Sequence, residues 1–188
     1  MPISSEIVDQ LVGNAHGNLA RVKELLEAHP DALNSRAKWN ETAIQAATQM
    51  ADRAIIDYLV AAGAPVDFFT ALVLGRVEVI DRELAADPSL VHARGVHDLA
   101  PLYFAAIGGD VPVAIRLLGA GADVNATAEA AAPIHGAVMG GNVKMVLLLL
   151  AHGANPHLQD YKGRDARTLA EELGRADIRE LLRDDAQS

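Results

Sequence analysis

The side chains that most often carry out chemistry in proteins occur here without the spacing that such chemistry needs. Seven histidines are spread along the chain, and none stands in a His-Glu-x-x-His or comparable arrangement of metal ligands. They are His16, His29, His92, His97, His135, His152 and His157. The sequence therefore predicts no metal site.

Motifs for nucleophilic catalysis and phosphate binding are similarly weak. The stretch 35–38, Ser-Arg-Ala-Lys, has the Ser-x-x-Lys spacing by which a lysine can activate a serine, but it falls in a predicted turn and no Ser-Asp-Asn follows. The Gly-Ala-Gly at 119–121 follows a predicted helix and lacks the third glycine of a dinucleotide-binding loop. The sequence therefore predicts no catalytic residue, no cofactor and no enzymatic activity.

Composition narrows the class of protein further. The 188 residues are 51% hydrophobic but only 4% aromatic, which suits a core of small helices packed closely through alanine and leucine. A net charge of −9 argues against nucleic acid as a partner, because there is no surplus of basic residues to neutralise phosphates. No cysteine, signal-peptide pattern or long apolar stretch is visible, so we expect a cytoplasmic protein that does not enter a membrane.

One stretch, residues 99–126, reads as a complete structural unit. Pro101 can begin a helix, Gly108-Gly109 can end it, and a second helix with apolar residues at helical spacing runs to Gly121. The unit closely resembles an ankyrin repeat, whose pattern is Thr-Pro-Leu-His, then Ala-Ala, Gly, Leu-Leu and Gly-Ala-Asp-Val-Asn-Ala. Here the corresponding segments are Ala-Pro-Leu-Tyr at 100–103, Ala-Ala at 105–106 and Gly-Ala-Asp-Val-Asn-Ala at 121–126.

The same unit recurs along nearly the whole chain. Small residues that end the first helix of each unit are spaced by 34, 24, 34, 32 and 33 residues, and they are Gly17, Ala51, Gly75, Gly109, Gly141 and Gly174. The resemblance implies an all-α ankyrin-repeat solenoid of about six stacked helix-turn-helix repeats with short β-turn fingers. We expect a single ankyrin-repeat domain over residues 1–188, with repeats at about 4–36, 37–67, 68–94, 95–127, 128–159 and 160–188.

The third repeat is shortened, because eight residues are missing between Gly63 and Gly75 relative to the later repeats. These eight residues would form the projecting finger, so we expect one finger to be absent and Asp67 to cap the next helix directly. We also predict helices over 19–28 and 77–86, and Thr42 as a helix N-cap.

The resemblance implies a protein-protein interaction module, since partners of ankyrin repeats usually contact the finger tips and the exposed side of the first helices. By position, the candidate contact residues are Lys38, Trp39, Glu41, Met50, Leu74, His97, Leu99, Ile107, Met139, Tyr161 and Arg164. Six of these would form a run of large apolar side chains on one face, namely Trp39, Met50, Leu74, Leu99, Ile107 and Met139. The alternative is that some of them, Leu74 and Ile107 especially, pack against the next repeat.

We therefore expect a monomeric scaffold that binds a protein partner, with Trp39 exposed at a finger tip. Two other interpretations stay open: a small ligand-binding protein or enzyme that uses the gap of the missing finger near His97 and Glu41, and a self-associating structural protein. The resemblance also places His135 at the position of the Thr-Pro-Leu-His histidine, which implies a structural hydrogen bond rather than chemistry.

Overall fold

A computed structural model describes residues 3–127 and 131–183, and this part of the chain is all-α, as predicted. Within these ranges there are twelve α-helices and no strand. The helices are α1 Ser5–Asn14, α2 Leu19–Ala28, α3 Ala43–Gln49, α4 Arg53–Ala61, α5 Phe68–Leu74, α6 Val77–Ala86, α7 Pro101–Gly108, α8 Val111–Gly119, α9 Pro133–Gly140, α10 Val143–Ala151, α11 Ala166–Glu172 and α12 Ala176–Leu181. The predicted helices over 19–28 and 77–86 are confirmed as α2 and α6.

The contacts divide the chain into two compact units, residues 1–70 and 71–188. In the first unit, α1 packs against α2 and α3, and α3 packs against α4. In the second unit, α7 packs against α9 and α9 against α11, while α8 packs against α10 and α10 against α12. The first helices of these repeats thus form one row and the second helices another.

Glycines let α7 and α9 approach each other closely. A Cβ atom on Gly136 would lie 2.8 Å from the carbonyl oxygen of Tyr103, and one on Gly140 would lie 2.5 Å from that of Ile107. Such distances are shorter than side-chain carbons tolerate, so the two helix backbones pack at a separation that only glycine permits. Ala105 and Ala106 of α7 and Ala137 of α9 are fully buried, and their small side chains suit the same close packing.

The residue that ends each first helix has a positive φ in all six repeats, from +50° at Ala51 to +139° at Gly17. This is the left-handed region, in which a helix commonly ends and which glycine enters without strain. Ala51 is the one residue of the six that carries a Cβ, so its turn is strained.

The predicted helix caps are present. The Thr42 side chain accepts a hydrogen bond from the Gln45 backbone N–H, and the Gln45 side chain accepts one from the Thr42 N–H, which makes a reciprocal capping box. The Asp67 carboxylate accepts a hydrogen bond of 2.8 Å from the Thr70 N–H. Only residues 62–67 connect α4 to α5, so the third finger is absent, as predicted.

Side-chain amides tie consecutive repeats together in the second unit. Asn125 donates through Nδ2 to the Gly153 carbonyl at 2.9 Å and accepts from the Asn155 N–H through Oδ1 at 2.7 Å. Asn142 donates to the Gly109 carbonyl at 2.9 Å. The predicted repeat bounds at 128 and 188 fall on residues outside the described ranges, and the single domain over 1–188 stays a prediction.

Candidate interaction surface

The finger at residues 37–41, called here the Trp39 finger, is a tight turn that displays two side chains. The Ala37 N–H donates to the Glu41 carbonyl at 2.9 Å, and the Asn40 N–H donates to the Ala37 carbonyl at 2.8 Å. Asn40 has a φ of +67°, which asparagine adopts more readily than most residues. Lys38 and Trp39 therefore project from the tip of a closed turn, and both are exposed.

The indole of Trp39 is exposed, but a hydrogen bond restricts its orientation. The residue is 43% exposed, while its Nε1–H donates a 3.0 Å hydrogen bond to Oε2 of Glu41. Glu41 itself is buried, at 3% exposure, and its other oxygen accepts a 2.9 Å hydrogen bond from Nε2 of Gln49. One edge of the indole is thus fixed to the protein while a face of the ring stays open to solvent.

His16, just after α1, completes this network. Its Nε2 lies 2.6 Å from Nε2 of Gln49, and its Nδ1 lies 3.2 Å from the Val12 carbonyl oxygen. Because the Gln49 amide nitrogen can only donate, the imidazole Nε2 accepts and Nδ1 carries the proton. The network therefore links the end of α1 to the Gln49 amide and holds that amide in the orientation that binds Glu41.

Lys38 bends back over the tryptophan. Its Nζ lies 5.8 Å from the centre of the Trp39 ring and 3.3 Å from Oδ2 of Asp9. The Lys38 backbone N–H donates a 3.0 Å hydrogen bond to Oδ1 of the same carboxylate. That backbone hydrogen bond, together with the nearby ammonium, holds the pKa of Asp9 below its ordinary value.

The finger at residues 160–164 in the second unit has a similar turn and a different electrostatic arrangement. Tyr161 at its tip is 69% exposed, and the Lys162 ammonium lies 5.4 Å from the centre of its ring. Asp160 is buried, and Arg164 binds its Oδ2 through Nη2 at 2.6 Å and Nε at 2.9 Å. Burial alone would raise the pKa of Asp160, but the hydrogen bonds from Arg164 and Lys162 outweigh it and lower that pKa.

Arg164, a predicted contact residue, is mostly engaged within the protein. Its Nη1 also donates to Glu172 at 2.7 Å, and its side chain is 17% exposed. The tip residue Tyr161, rather than Arg164, is the side chain that this finger presents to solvent.

His135 has a structural position, as the resemblance implied. Its side chain is completely buried; Nδ1 accepts from the Ala132 N–H at 3.1 Å, and Nε2–H donates to the Arg164 carbonyl at 3.1 Å. Burial lowers the pKa of His135 below its ordinary value, against the opposing effect of the bond to Arg164. The neutral imidazole therefore links the start of α9 to the finger at 160–164.

The expected run of exposed apolar side chains is only partly present, and this corrects the sequence-based interpretation. Four of the predicted contact residues are buried: Glu41 at 3%, Leu74 at 9%, Leu99 at 3% and Ile107 at 5% exposure. Close helix packing is the reason for Ile107, since a Cβ on Gly140 would lie 2.5 Å from its carbonyl oxygen. Met139 is half-buried and accepts a hydrogen bond of 3.5 Å from the Tyr103 hydroxyl.

Two predicted contact residues besides Lys38, Trp39 and Tyr161 are exposed. Met50 is 42% exposed at the end of α3, directly after Gln49. His97 is exposed at the finger at 95–99, with a φ of +53°. The sequence analysis did not include Asp9 and His16 among the contact residues, and no motif around these two positions signals their contacts with Lys38 and Gln49.

A metal-ligand group and a membrane-spanning helix are both absent from the described ranges. No three His, Asp or Glu side chains among these residues come together in a group that suits a metal ion. None of the helices in the described ranges has the length and apolar character needed to cross a membrane.

The family of the chain follows from its sequence match. Two overlapping stretches, residues 69–160 and 102–187, match the family described as ankyrin repeats (3 copies), and together they cover more than half of the chain. No curated protein matches the chain as a relative. The helix pairs, the positive-φ turns between them and this match agree, and the chain belongs to the ankyrin repeat family.

Proposed function

We propose that this protein is a non-enzymatic interaction module that binds a protein partner, and that the Trp39 finger is its main contact. Ankyrin repeats are generally protein-protein interaction modules, and the family is typically non-enzymatic. The observation that carries the proposal is the indole of Trp39, which is 43% exposed although its N–H is bound to the buried Glu41.

An exposed indole of this kind suits binding for two reasons. Covering an aromatic ring removes a large apolar area from water, and tryptophan is enriched among the residues that dominate interface energetics. The hydrogen bond to Glu41 restricts the ring before any partner arrives, so less conformational entropy is lost on binding. Met50 adds a second exposed apolar side chain next to Gln49, which belongs to the same network.

In the second unit we propose Tyr161 as a further contact, with His97 and Met139 contributing at their own repeats. Tyr161 is the most exposed of the large apolar side chains in the described ranges, at 69%. Leu74, Leu99 and Ile107 are buried, and we assign them to packing between helices.

The test compares variants as bait in affinity capture from source cells, followed by mass spectrometry. We expect a protein that the wild type retains and Trp39→Ala loses, with affinity reduced by about thirtyfold or more once the partner is purified. Leu147→Ala is the matched control, because Leu147 is a large apolar side chain, 47% exposed, that belongs to the second helix α10 and not to a finger. Equal binding by Trp39→Ala and the wild type refutes the assignment of the Trp39 finger.

A further inference from the structure

The open face of Trp39 is already covered in part by a cation from the protein itself. The Lys38 ammonium lies 5.8 Å from the ring centre and 3.3 Å from Oδ2 of Asp9, although the Lys38 side chain remains 75% exposed. A cation over an indole face is attracted by the ring quadrupole, and the carboxylate adds a direct charge interaction. The ring face and Asp9 together are a place where the fold stabilises a positive charge, called here the cation site.

The finger at 160–164 shows that a lysine beside an aromatic ring does not by itself make such a site. Lys162 lies over Tyr161 in the same way, but the Asp160 carboxylate there is buried and bound by Arg164. In the Trp39 finger, Glu41 occupies the position that corresponds to Arg164, so an acid stands where the other finger has an arginine. Asp9 contacts the backbone N–H and the ammonium of Lys38. The carboxylate of the cation site is therefore bound by Lys38, whereas that of Asp160 is bound by an arginine.

The resident lysine is easy to displace. An ion pair whose lysine is this exposed contributes little to stability, because water screens the ammonium and a long side chain must be held in place. Asp9 keeps its bond to the Lys38 backbone N–H when the ammonium leaves, so the carboxylate stays in position. The indole also stays in position, because Glu41 and Gln49 hold its edge and not its face.

Arginine is the side chain that fits this site best. Its planar guanidinium stacks on an aromatic ring and at the same time donates to a carboxylate, which the compact ammonium of lysine does less well. Residues 1–70 carry nine acidic and five basic side chains, so the surrounding field also favours a cation. We propose that the Trp39 ring face and Asp9 bind an arginine side chain of the protein partner, which displaces Lys38; this inference rests on the proposed function.

The test uses two blocked Gly-Gly-Xaa-Gly-Gly peptides in which Xaa is arginine or citrulline. Citrulline has the shape of arginine without its charge, so the pair isolates the contribution of the cation. Trp39 is the only tryptophan of the chain, and its emission reports directly on the site. We expect the arginine peptide to change this emission in a saturable way, and the citrulline peptide to bind at least about threefold more weakly.

Two variants test the roles of the neighbouring residues. Lys38→Ala removes the resident cation and should strengthen arginine-peptide binding by about three- to fivefold. Asp9→Asn keeps an oxygen for the Lys38 N–H but loses the charge, and should weaken binding by about tenfold. Circular dichroism of both variants checks that the fold is retained.

The outcomes separate this inference from the proposed function. Equal binding of the two peptides, no response to the arginine peptide, or weaker binding by Lys38→Ala overturns the cation site. If the cation site is overturned while Trp39→Ala still loses the captured partner, then the partner covers the ring with an apolar side chain and the proposed function stands. If the arginine peptide binds but Trp39→Ala binds the partner as tightly as the wild type does, then the proposed contact with the partner is wrong. The cation site itself then stands.

Discussion

Replacing Gly136 by alanine tests whether the α7–α9 contact is as close as the structure shows. Gly136 lies inside α9, where a Cβ would be 2.8 Å from the carbonyl oxygen of Tyr103, 3.1 Å from its Cδ2 and 3.3 Å from the backbone N of Ile107. Two of these three atoms belong to the backbone of α7, and Tyr103 is only 4% exposed. The neighbouring helix must therefore shift as a whole to admit the methyl group.

Two effects of opposite sign determine the result. Alanine is more favourable than glycine inside a helix by about 1 kcal/mol. Overpacking a well-packed interior costs about 1–3 kcal/mol, and the upper half of that range applies where backbone atoms must move. We therefore expect Gly136→Ala to lower the free energy of unfolding by about 1–2 kcal/mol.

Urea unfolding followed by far-ultraviolet circular dichroism measures this change. Tryptophan fluorescence does not suit it, because Trp39 lies in the unit 1–70 and Gly136 in the unit 71–188. The control is Gly119→Ala at the end of α8, where nothing lies within 4 Å of the added Cβ, and which should raise the free energy of unfolding by about 0.5 kcal/mol. If Gly136→Ala is as stable as the wild type, or if both variants shift in the same direction, the reasoning from close packing is refuted.

Three further predictions concern stability. Ala51→Gly should raise the free energy of unfolding by about 0.5–1 kcal/mol, because Ala51 has a φ of +50°; a loss in urea unfolding would contradict this. Asn125→Ala should lower the free energy of unfolding by about 1–2 kcal/mol, because the hydrogen bonds to Gly153 and Asn155 are lost. Hydrogen exchange should then show faster opening at residues 153–155. Burial lowers the pKa of His135 below its ordinary value of 6.5, so the neutral imidazole stabilises the fold above pH 6.5. The free energy of unfolding should therefore fall as the pH drops from 6.5 through the lowered pKa. The melting temperature of His135→Gln, measured as a function of pH, should not show this decrease. It should still decrease at lower pH, where carboxylates such as Asp160 become protonated.

The position of Trp39 at a finger tip could be predicted from the repeat pattern, but its surroundings could not. Glu41 is two residues away and was expected to be a surface contact, yet it is buried and accepts a hydrogen bond from the indole N–H. The groups that hold this arrangement, Asp9 and His16, come from the first repeat, 29 residues before Lys38 and 33 before Gln49. Which of two neighbouring side chains turns inward depends on such distant partners, and these are not part of the repeat pattern.

The sequence pattern left open whether the apolar side chains of the first helices are exposed or packed against the next repeat. Leu99 and Ile107 occupy positions that partners often contact in this family, and here they are buried. The glycine at 140 brings the next first helix so close that no room remains for a partner over Ile107. A sequence pattern lists apolar residues at these positions but does not contain the distance between helices.

The sequence by itself determined the helix pairs, their ends and their caps. These features depend on chemistry that acts within a few residues, such as the freedom of glycine at positive φ, the side-chain oxygen of Thr42 at a helix start, and the eight residues missing before Gly75. Only the tertiary structure decided that Trp39 keeps an open face with its N–H bound, that Lys38 and Asp9 meet beside it, and that Ile107 is covered. Those outcomes depend on how closely neighbouring helices approach and on which distant side chains they bring together, and both are properties of the packed repeats rather than of any single one.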